Sequence, residues 1–297
     1  MKPHRIAIIA DIHGILPPLK AVVADLQRDP PDEIIVAGDF LGGPQSAEAL
    51  ALLREAGCRF ILGNGEVNML MMRHGTAPET WWTHRQFDLA RWVYRHLDES
   101  VLDFLEGLPE HIVIHPPGTE PVRIIHATPW DVNTLVYPFT EPEILDRALR
   151  MIPEDTLVFA HNHLPDVIYR NGKLAINPGS VSNNLNGDTR ASYAMLTWDG
   201  SQWQPELRYV AYDLALVKQS FEETGFLEAN RPLLRGFLES ILTGENTSWG
   251  FICYAFYMAA EAGYTDLDAV PDAVWLAAEE TFPGQLRSDW RKIQSTR

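Results

Sequence analysis

Seven side chains in this sequence are of the kinds that bind metal ions, and each arrives just after an apolar run. Asp11 and His13 follow Ile6-Ala7-Ile8-Ile9-Ala10, and Asp39 follows Ile34-Ile35-Val36-Ala37-Gly38. Asn64 follows Arg59-Phe60-Ile61-Leu62-Gly63, and His126 follows Arg123-Ile124-Ile125. His161 and His163 follow Leu157-Val158-Phe159-Ala160. A single histidine at the end of such a run is usually a hydrogen-bonded polar residue and nothing more. Five separate run ends, each delivering Asp, Asn or His, are not what packing alone requires. The donors are nitrogen and oxygen with no thiolate, and there are more of them than one ion needs. They suit two divalent transition metals, with Mn, Fe, Zn and Ni all compatible.

The elements that must position them read as buried strands, because short continuous apolar runs without polar alternation mark strands covered on both faces. Helical spacing from Leu16 to Leu26 and from Ala47 to Ala56 separates the first three runs, which implies a parallel sheet. Ligands in open α/β sheets bind beyond the carboxyl ends of the strands. If the chain stays extended there, Asp11 and His13 alternate onto one face, and so do His161 and His163. Residues from about 79 to 108 look helical and rich in aromatics, including Trp81, Trp82, Phe87, Trp92 and Tyr94. With few basic residues between them, these read as core or cap packing rather than as a stacking platform for bases. Short strands then follow at 111–115, 122–126, 157–160, 167–169, 174–176, 192–197 and 204–212, with turn signals such as Asn171-Gly172 and one helix at 141–151. They predict a second, antiparallel or mixed sheet packed on the first. From about Leu214 the reading is helical, with a helix start at Asn230-Arg231-Pro232-Leu233, a break at Thr243-Gly244-Glu245, and a turn or short helical cap at Thr265-Asp266-Leu267-Asp268.

Composition narrows the function. The chain has 297 residues and a formal net charge of −16, which argues against nonspecific binding to nucleic acid or anionic membranes. Two cysteines, Cys58 and Cys253, lie far apart and in no Cys-x-x-Cys motif, so neither a disulfide framework nor a thiolate zinc site is expected. Cys253 reads as buried filler. With no signal-peptide pattern and no stretch long enough to span a membrane, a cytoplasmic protein is expected. No Gly-x-Ser-x-Gly elbow is present to support a serine hydrolase.

The order Asp-x-His, Gly-Asp, Gly-Asn, a lone strand-end His and His-x-His resembles the signature of the calcineurin-like metallophosphoesterases. Asn177-Pro178-Gly179-Ser180 and Gly187-Asp188-Thr189-Arg190-Ala191-Ser192-Tyr193 resemble the small bacterial and archaeal phosphodiesterase branch. The resemblance covers about residues 4–212. It implies an α/β fold, a two-sheet αββα sandwich, here taken as residues 1–213, and does not explain the tail, whose helical spacing reads as a C-terminal helical appendage at 214–297. It also implies that Asp11, His13 and His163 hold one metal, that Asn64, His126 and His161 hold the other, and that Asp39 bridges both. The ions would make a hydroxide available near neutral pH and clamp the phosphoryl oxygens of a small phosphate-ester substrate, with Asp39, Asn64 and His126 closest to the chemistry. Relatives often carry His after Gly-Asn, where it meets the substrate or leaving group. Here that position is Gly65, which leaves leaving-group protonation open. The motif Ala160-His161-Asn162-His163 departs from the usual Gly-His-x-His but keeps both ligands.

Glu66 reads either as a carboxylate beside the metal site or as a helix-start residue stabilised by the dipole. Arg190 reads either as a phosphate contact or as a surface partner of Asp188, and Ser180 and Ser182 read as turn residues. The appendage contains no His and is expected to cover the sandwich or a second copy of the chain in a homo-oligomer, supplying no ligand. Two rival readings are a noncatalytic scaffold on the same fold, which Gly65 and the unmatched tail favour, and a zinc-dependent amide hydrolase, which fits the ligand order less well.

Overall fold

The computed structural model describes residues 3–229, 231–266 and 269–282. Asn230, Leu267, Asp268 and residues 283–297, on which parts of the tail reading fall, lie outside the described residues. The strands are β1 (Arg5–Ile9), β2 (Glu33–Val36), β3 (Arg59–Phe60), β4 (His111–Ile114), β5 (Val122–Ile125), β6 (Thr156–Val158), β7 (Asp166–Arg170), β8 (Lys173–Asn177), β9 (Ala191–Trp198) and β10 (Trp203–Val210). The helices are α1 (Leu16–Arg28), α2 (Ser46–Glu55), α3 (Asn64–Arg73), α4 (Glu79–Thr83), α5 (Asp88–Arg95), α6 (Glu99–Glu106) and α7 (Pro142–Met151). The tail adds α8 (Leu214–Glu223), α9 (Phe226–Ala229), α10 (Arg231–Thr243), α11 (Thr247–Glu261) and α12 (Asp272–Thr281).

The strands form two five-stranded sheets, ordered β10-β9-β1-β2-β3 and β4-β5-β6-β8-β7. β1, β2 and β3 run parallel, as do β5, β6 and β8. The second sheet is mixed, as expected. Its membership is smaller than expected, because β9 and β10 belong to the first sheet, where β9 pairs antiparallel with β1. The reason is burial. β9 is covered on both faces from Ala191 to Leu196, so it is a central strand, and the open flank of β1 accommodates it.

Alternation along β1 shows how the layers are made. Ile6, Ile8 and Ala10 point between the sheets, where they meet Val122, Ile124, Val158 and Ile176. Ala7 and Ile9 point outward into a core shared with Leu19, Val22 and Leu26 of α1. α7 covers the far face of the second sheet through Leu145, Ala148 and Leu149, against Ile125, Leu157 and Phe159. The result is the αββα sandwich. Truncating a buried residue such as Ile8 to Ala should cost about 2–5 kcal/mol.

The tail is not detached. Val217, Phe221, Phe226, Leu234, Leu238 and Ile241 join the same core as β1 and α1. α11 and α12 form a smaller cluster of their own with Leu233, centred on Phe251, Ala255 and Trp275. Gly236 permits the approach of α10 to α11, since a Cβ there would lie 3.2 Å from the Ser248 Cα. Cys253 is half-buried on α11 rather than buried.

Candidate metal centre

The strands stop before the ligands do. β1 ends at Ile9 and β6 at Val158, and the chain beyond them leaves the extended region. Asp11 (φ 52°), His13 (φ 48°), Asp39 (φ 51°), His161 (φ 70°) and His163 (φ 57°) are all left-handed. Non-glycine residues rarely adopt this conformation, and residues so held cluster at functional sites. Among the described residues only one other non-glycine residue does so, Asn171 in the β7–β8 hairpin turn. The expected alternation of Asp11 with His13, and of His161 with His163, is therefore corrected. Asp11 and His13 reach one place through two left-handed turns, not through a pleat. His161 and His163 diverge to different clusters.

Hydrogen bonds between the sheet ends hold these turns. The amides of Asp11, His13 and Gly14 donate to the carbonyls of Gly38, Asp39 and Phe40 at 3.2, 2.9 and 3.0 Å. The His161 amide donates to Asp11 Oδ2 at 3.1 Å, which ties the second sheet to the first. Two glycines allow the close approach. A Cβ on Gly63 would lie 2.2 Å from Asp39 Oδ1, and one on Gly38 would lie 2.6 Å from His126 Nδ1.

Six of the seven side chains fall into two groups that could each hold a cation: Asp11, His13 and His163 in one, Asp39, His126 and His161 in the other. Within each group the donor atoms lie within 4.8 Å of one another. Asn64, at the start of α3, adds its Oδ1 at 3.1 Å from His126 Nε2. Backbone carbonyls set the tautomers. His163 Nδ1–H donates to Asn183 O at 2.8 Å, His126 Nδ1–H to Ala37 O at 2.9 Å, and His161 Nε2–H to Asn133 O at 3.0 Å. A carbonyl only accepts, so the other ring nitrogen of each presents a lone pair.

Those lone pairs meet other acceptors. His126 Nε2 faces Asn64 Oδ1 and lies 3.5 Å from Asp39 Oδ1. His163 Nε2 lies 3.6 Å from Asp11 Oδ1, a buried oxygen with no hydrogen-bond partner. His13 Nε2 and His163 Nε2 approach to 3.0 Å. His13 Nε2–H can donate to His163 Nε2, but the lone pairs of His126 and His163 and the Asp11 and Asp39 oxygens they face have no donor between them, which is what a shared cation would satisfy, so the residues fit a metal. The electrostatics agree. Burial pushes the Asp11 and Asp39 carboxyls up and holds the imidazoles neutral, with His126 and His161 lowered to about 4 and His163 to about 3. A bound cation reverses the penalty on the carboxylates.

A layer of positioning residues stands behind these groups. Glu66 is fully buried and accepts from the amides of Asp39, Leu41 and Gly63 at 2.8, 2.9 and 2.9 Å. It therefore caps the start of α3 and fixes the Asp39 loop at once. Burial and the Asp39 carboxylate push it up to about 8, and the three N–H donors pull the other way. Ser180 and Ser182 are buried, and both donate to the Asp11 carbonyl, at 2.6 and 3.1 Å. Sequence reasoning reads them only as turn residues, and it misses the carbonyls of Ala37, Asn133 and Asn183 altogether. Any residue type can offer a carbonyl, so no sequence signal marks them. Arg190 pairs with Asp188 at 2.6 Å and sits over the Tyr209 ring, outside both groups.

A cavity of about 390 Å³ opens over His13, Asp39, Asn64 and His163. The tail lines it through Leu233 and Phe237 of α10 and Trp249 and Ile252 of α11. The Phe237 ring meets His13 edge-on at 5.9 Å. The tail thus covers the site itself. Among the described residues it supplies no member of either group.

Paired nitrogen and oxygen clusters at the joined ends of two mixed sheets define a metallophosphoesterase frame. Residues 5–201 match the calcineurin-like phosphoesterase superfamily domain, and the chain belongs to that superfamily of divalent-metal-dependent enzymes. It is 27% identical over 239 residues to an uncharacterized protein of Methanocaldococcus jannaschii, a match covering 75% of this chain and 93% of that one. Its fold is similar to that of a metallophosphoesterase from Sphaerobacter thermophilus, with a TM-score of 0.65, 23% identity, and coverage of 82% of this chain and 100% of the other. A hypothetical protein from Pyrococcus horikoshii OT3 is also similar, with a TM-score of 0.62, 16% identity, and coverage of 76% and 96%. No helix among the described residues is long and apolar enough to cross a membrane.

Proposed function

We propose that this chain is a phosphoesterase that works with two divalent transition-metal ions and prefers diesters. Asp11, His13 and His163 would hold one ion, Asn64, His126 and His161 the other, and Asp39 would bridge them. The observation that carries the reading is the convergence of buried acceptors, Asp11 Oδ1 without a partner and His126 Nε2 against Asn64 Oδ1. When bound, such ions supply a water-derived nucleophile near neutral pH and positive charge for the phosphoryl oxygens. The catalytic unit is residues 1–213, and residues 214–297 shape access to it.

The chain's own groups do the positioning. Asn183, Ala37 and Asn133 hold the three imidazoles in the tautomers that leave a lone pair facing inward. The Gly65 amide donates to Asp39 Oδ1 at 2.8 Å and fixes the carboxylate's orientation. Asn64 brings an oxygen without a negative charge, which keeps the site cationic enough for an anionic ester. At Gly65 no imidazole is available to protonate the departing oxygen, so acidic leaving groups are favoured. The missing side chain also leaves room for the second substituent of a diester.

The test is hydrolysis of a 4-nitrophenyl phosphodiester and of 4-nitrophenyl phosphate by protein of measured metal content. Diester turnover above monoester turnover supports the proposal. Metal-loaded protein that hydrolyses neither ester is a binding scaffold, and a monoester preference removes the diester half of the proposal.

A further inference from the structure

We infer that the cavity over the two clusters is a specificity pocket for an uncharged, ring-bearing substituent of a substrate with a single phosphate group. The inference rests on the phosphoesterase reading of the same site and names the chemical class of its substrate.

The floor and the walls of the cavity differ sharply in chemistry. The floor is His13, Asp39, Asn64 and His163, where a phosphoryl group would be held. The walls include Phe87, Leu89, Leu233, Phe237, Trp249 and Ile252, contributed from both sides by the α4–α5 region and the tail helices. Among the described residues that line the cavity there is no lysine or arginine, and Asp39 is the one carboxylate. A second phosphate on the substrate would therefore find no cationic partner, only neutral side chains such as Asn68, Gln86, Asn246 and Ser248 between the apolar ones, and desolvating a charge that is not paired is strongly unfavourable. The chain's net charge of −16 adds a further penalty on polyanions.

An aromatic ring suits this surface. Aromatic faces and edges prefer one another at centroid separations of about 4.5–7 Å, and Phe237 already meets the His13 ring in that way at 5.9 Å. The volume, about 390 Å³, falls within the range of sites that enclose small organic ligands. One wall residue is also coupled to the metal centre. The Asn183 carbonyl orients His163, while its side-chain oxygen is buried with no protein partner. The extension at 214–297 thus has a function the metal ligands do not explain, since four of the wall residues named belong to it.

The experiment compares three inert ligands on metal-loaded, full-length protein by titration calorimetry: methylphosphonate, phenylphosphonate and benzene-1,4-diphosphonate. Phenylphosphonate should bind about tenfold or more tighter than methylphosphonate, as expected for burial of a ring. Benzene-1,4-diphosphonate should bind more weakly than phenylphosphonate. In Phe237→Ala and Trp249→Ala the ratio of phenyl to methyl affinity should fall toward one. The wild-type comparison stands even if a variant fails to fold. Equal affinity for the methyl and phenyl compounds, or tighter binding of the diphosphonate, overturns the inference. If the 4-nitrophenyl diester is still hydrolysed in that case, the phosphoesterase reading survives. No binding of any phosphonate, with no hydrolysis, removes both.

Discussion

Replacing Glu66 with Ala should destabilise the protein and loosen the metal centre together, because one carboxylate serves both. Its Oε2 accepts from the Asp39 and Gly63 amides, and its Oε1 accepts from the Leu41 amide. Alanine leaves these three buried donors without an acceptor. Each orphaned donor costs about 1–3 kcal/mol, so the total loss should be roughly 3 kcal/mol at least. For a chain of this size that lowers the melting temperature by about 5 °C or more. Glu66→Gln keeps one oxygen for two of the amides and turns its NH₂ toward the Leu41 N–H, so it should lose less, about 1–3 kcal/mol. Thermal unfolding should be followed on metal-depleted protein, so that ligand linkage does not mask the difference. Metal content is then measured on the purified holoprotein, where both variants should carry less than wild type. The reasoning is refuted if Glu66→Ala melts like wild type with full metal content, or if Glu66→Gln is the more damaged variant.

Three further outcomes are expected. Ser180→Ala removes the shorter of two hydroxyl bonds to the Asp11 carbonyl and an acceptor for the Asn183 amide, and should cost about 1–3 kcal/mol. Metal titration should show weakening at the Asp11 group alone, and equal weakening at both groups would contradict that placement. Gly65→His should raise turnover most for esters with poor leaving groups, by up to about 10²-fold. Its Cβ would sit 3.2 Å from Asp39 Oδ1, so a small shift of that carboxylate is expected too, and a leaving-group series with no selective gain counts against the argument. Asp146 is held down to about 2 by hydrogen bonds from Arg170, against an ordinary value of 3.8. Its contribution is fully present above the ordinary value and is lost as pH falls toward 2, so the stability curves of wild type and Asp146→Asn should converge in acid, and parallel curves would contradict this.

The sequence carries the ligand set because the chemistry demands particular side chains. Asp11, His13, Asp39, Asn64, His126, His161 and His163 come together at the sheet ends. Strand positions are legible for the same reason, since runs such as Ile6 to Ala10 have no other use for that much apolar surface. What stays hidden depends on backbone geometry or on distance along the chain. Nothing in Asp-Ile-His announces two left-handed residues, because the conformation is imposed by hydrogen bonds to residues 38–40. The placement of β9 beside β1 is a long-range choice between two sheets, which local alternation does not decide. Ser180 and Ser182 look like any turn serines until the Asp11 carbonyl is seen above them. The tail shows its helices in its spacing, but not that Phe237 ends against His13.

The most direct test of the two-ion proposal is metal stoichiometry in wild type and Asp39→Asn, by elemental analysis, with diester turnover measured on the same samples. Wild type should carry two divalent transition-metal ions per chain. Asp39→Asn should lose occupancy of both, because one carboxylate serves both clusters, and activity should fall with it. Active wild-type protein without metal, or an Asp39→Asn variant with full occupancy and full activity, would contradict the proposal.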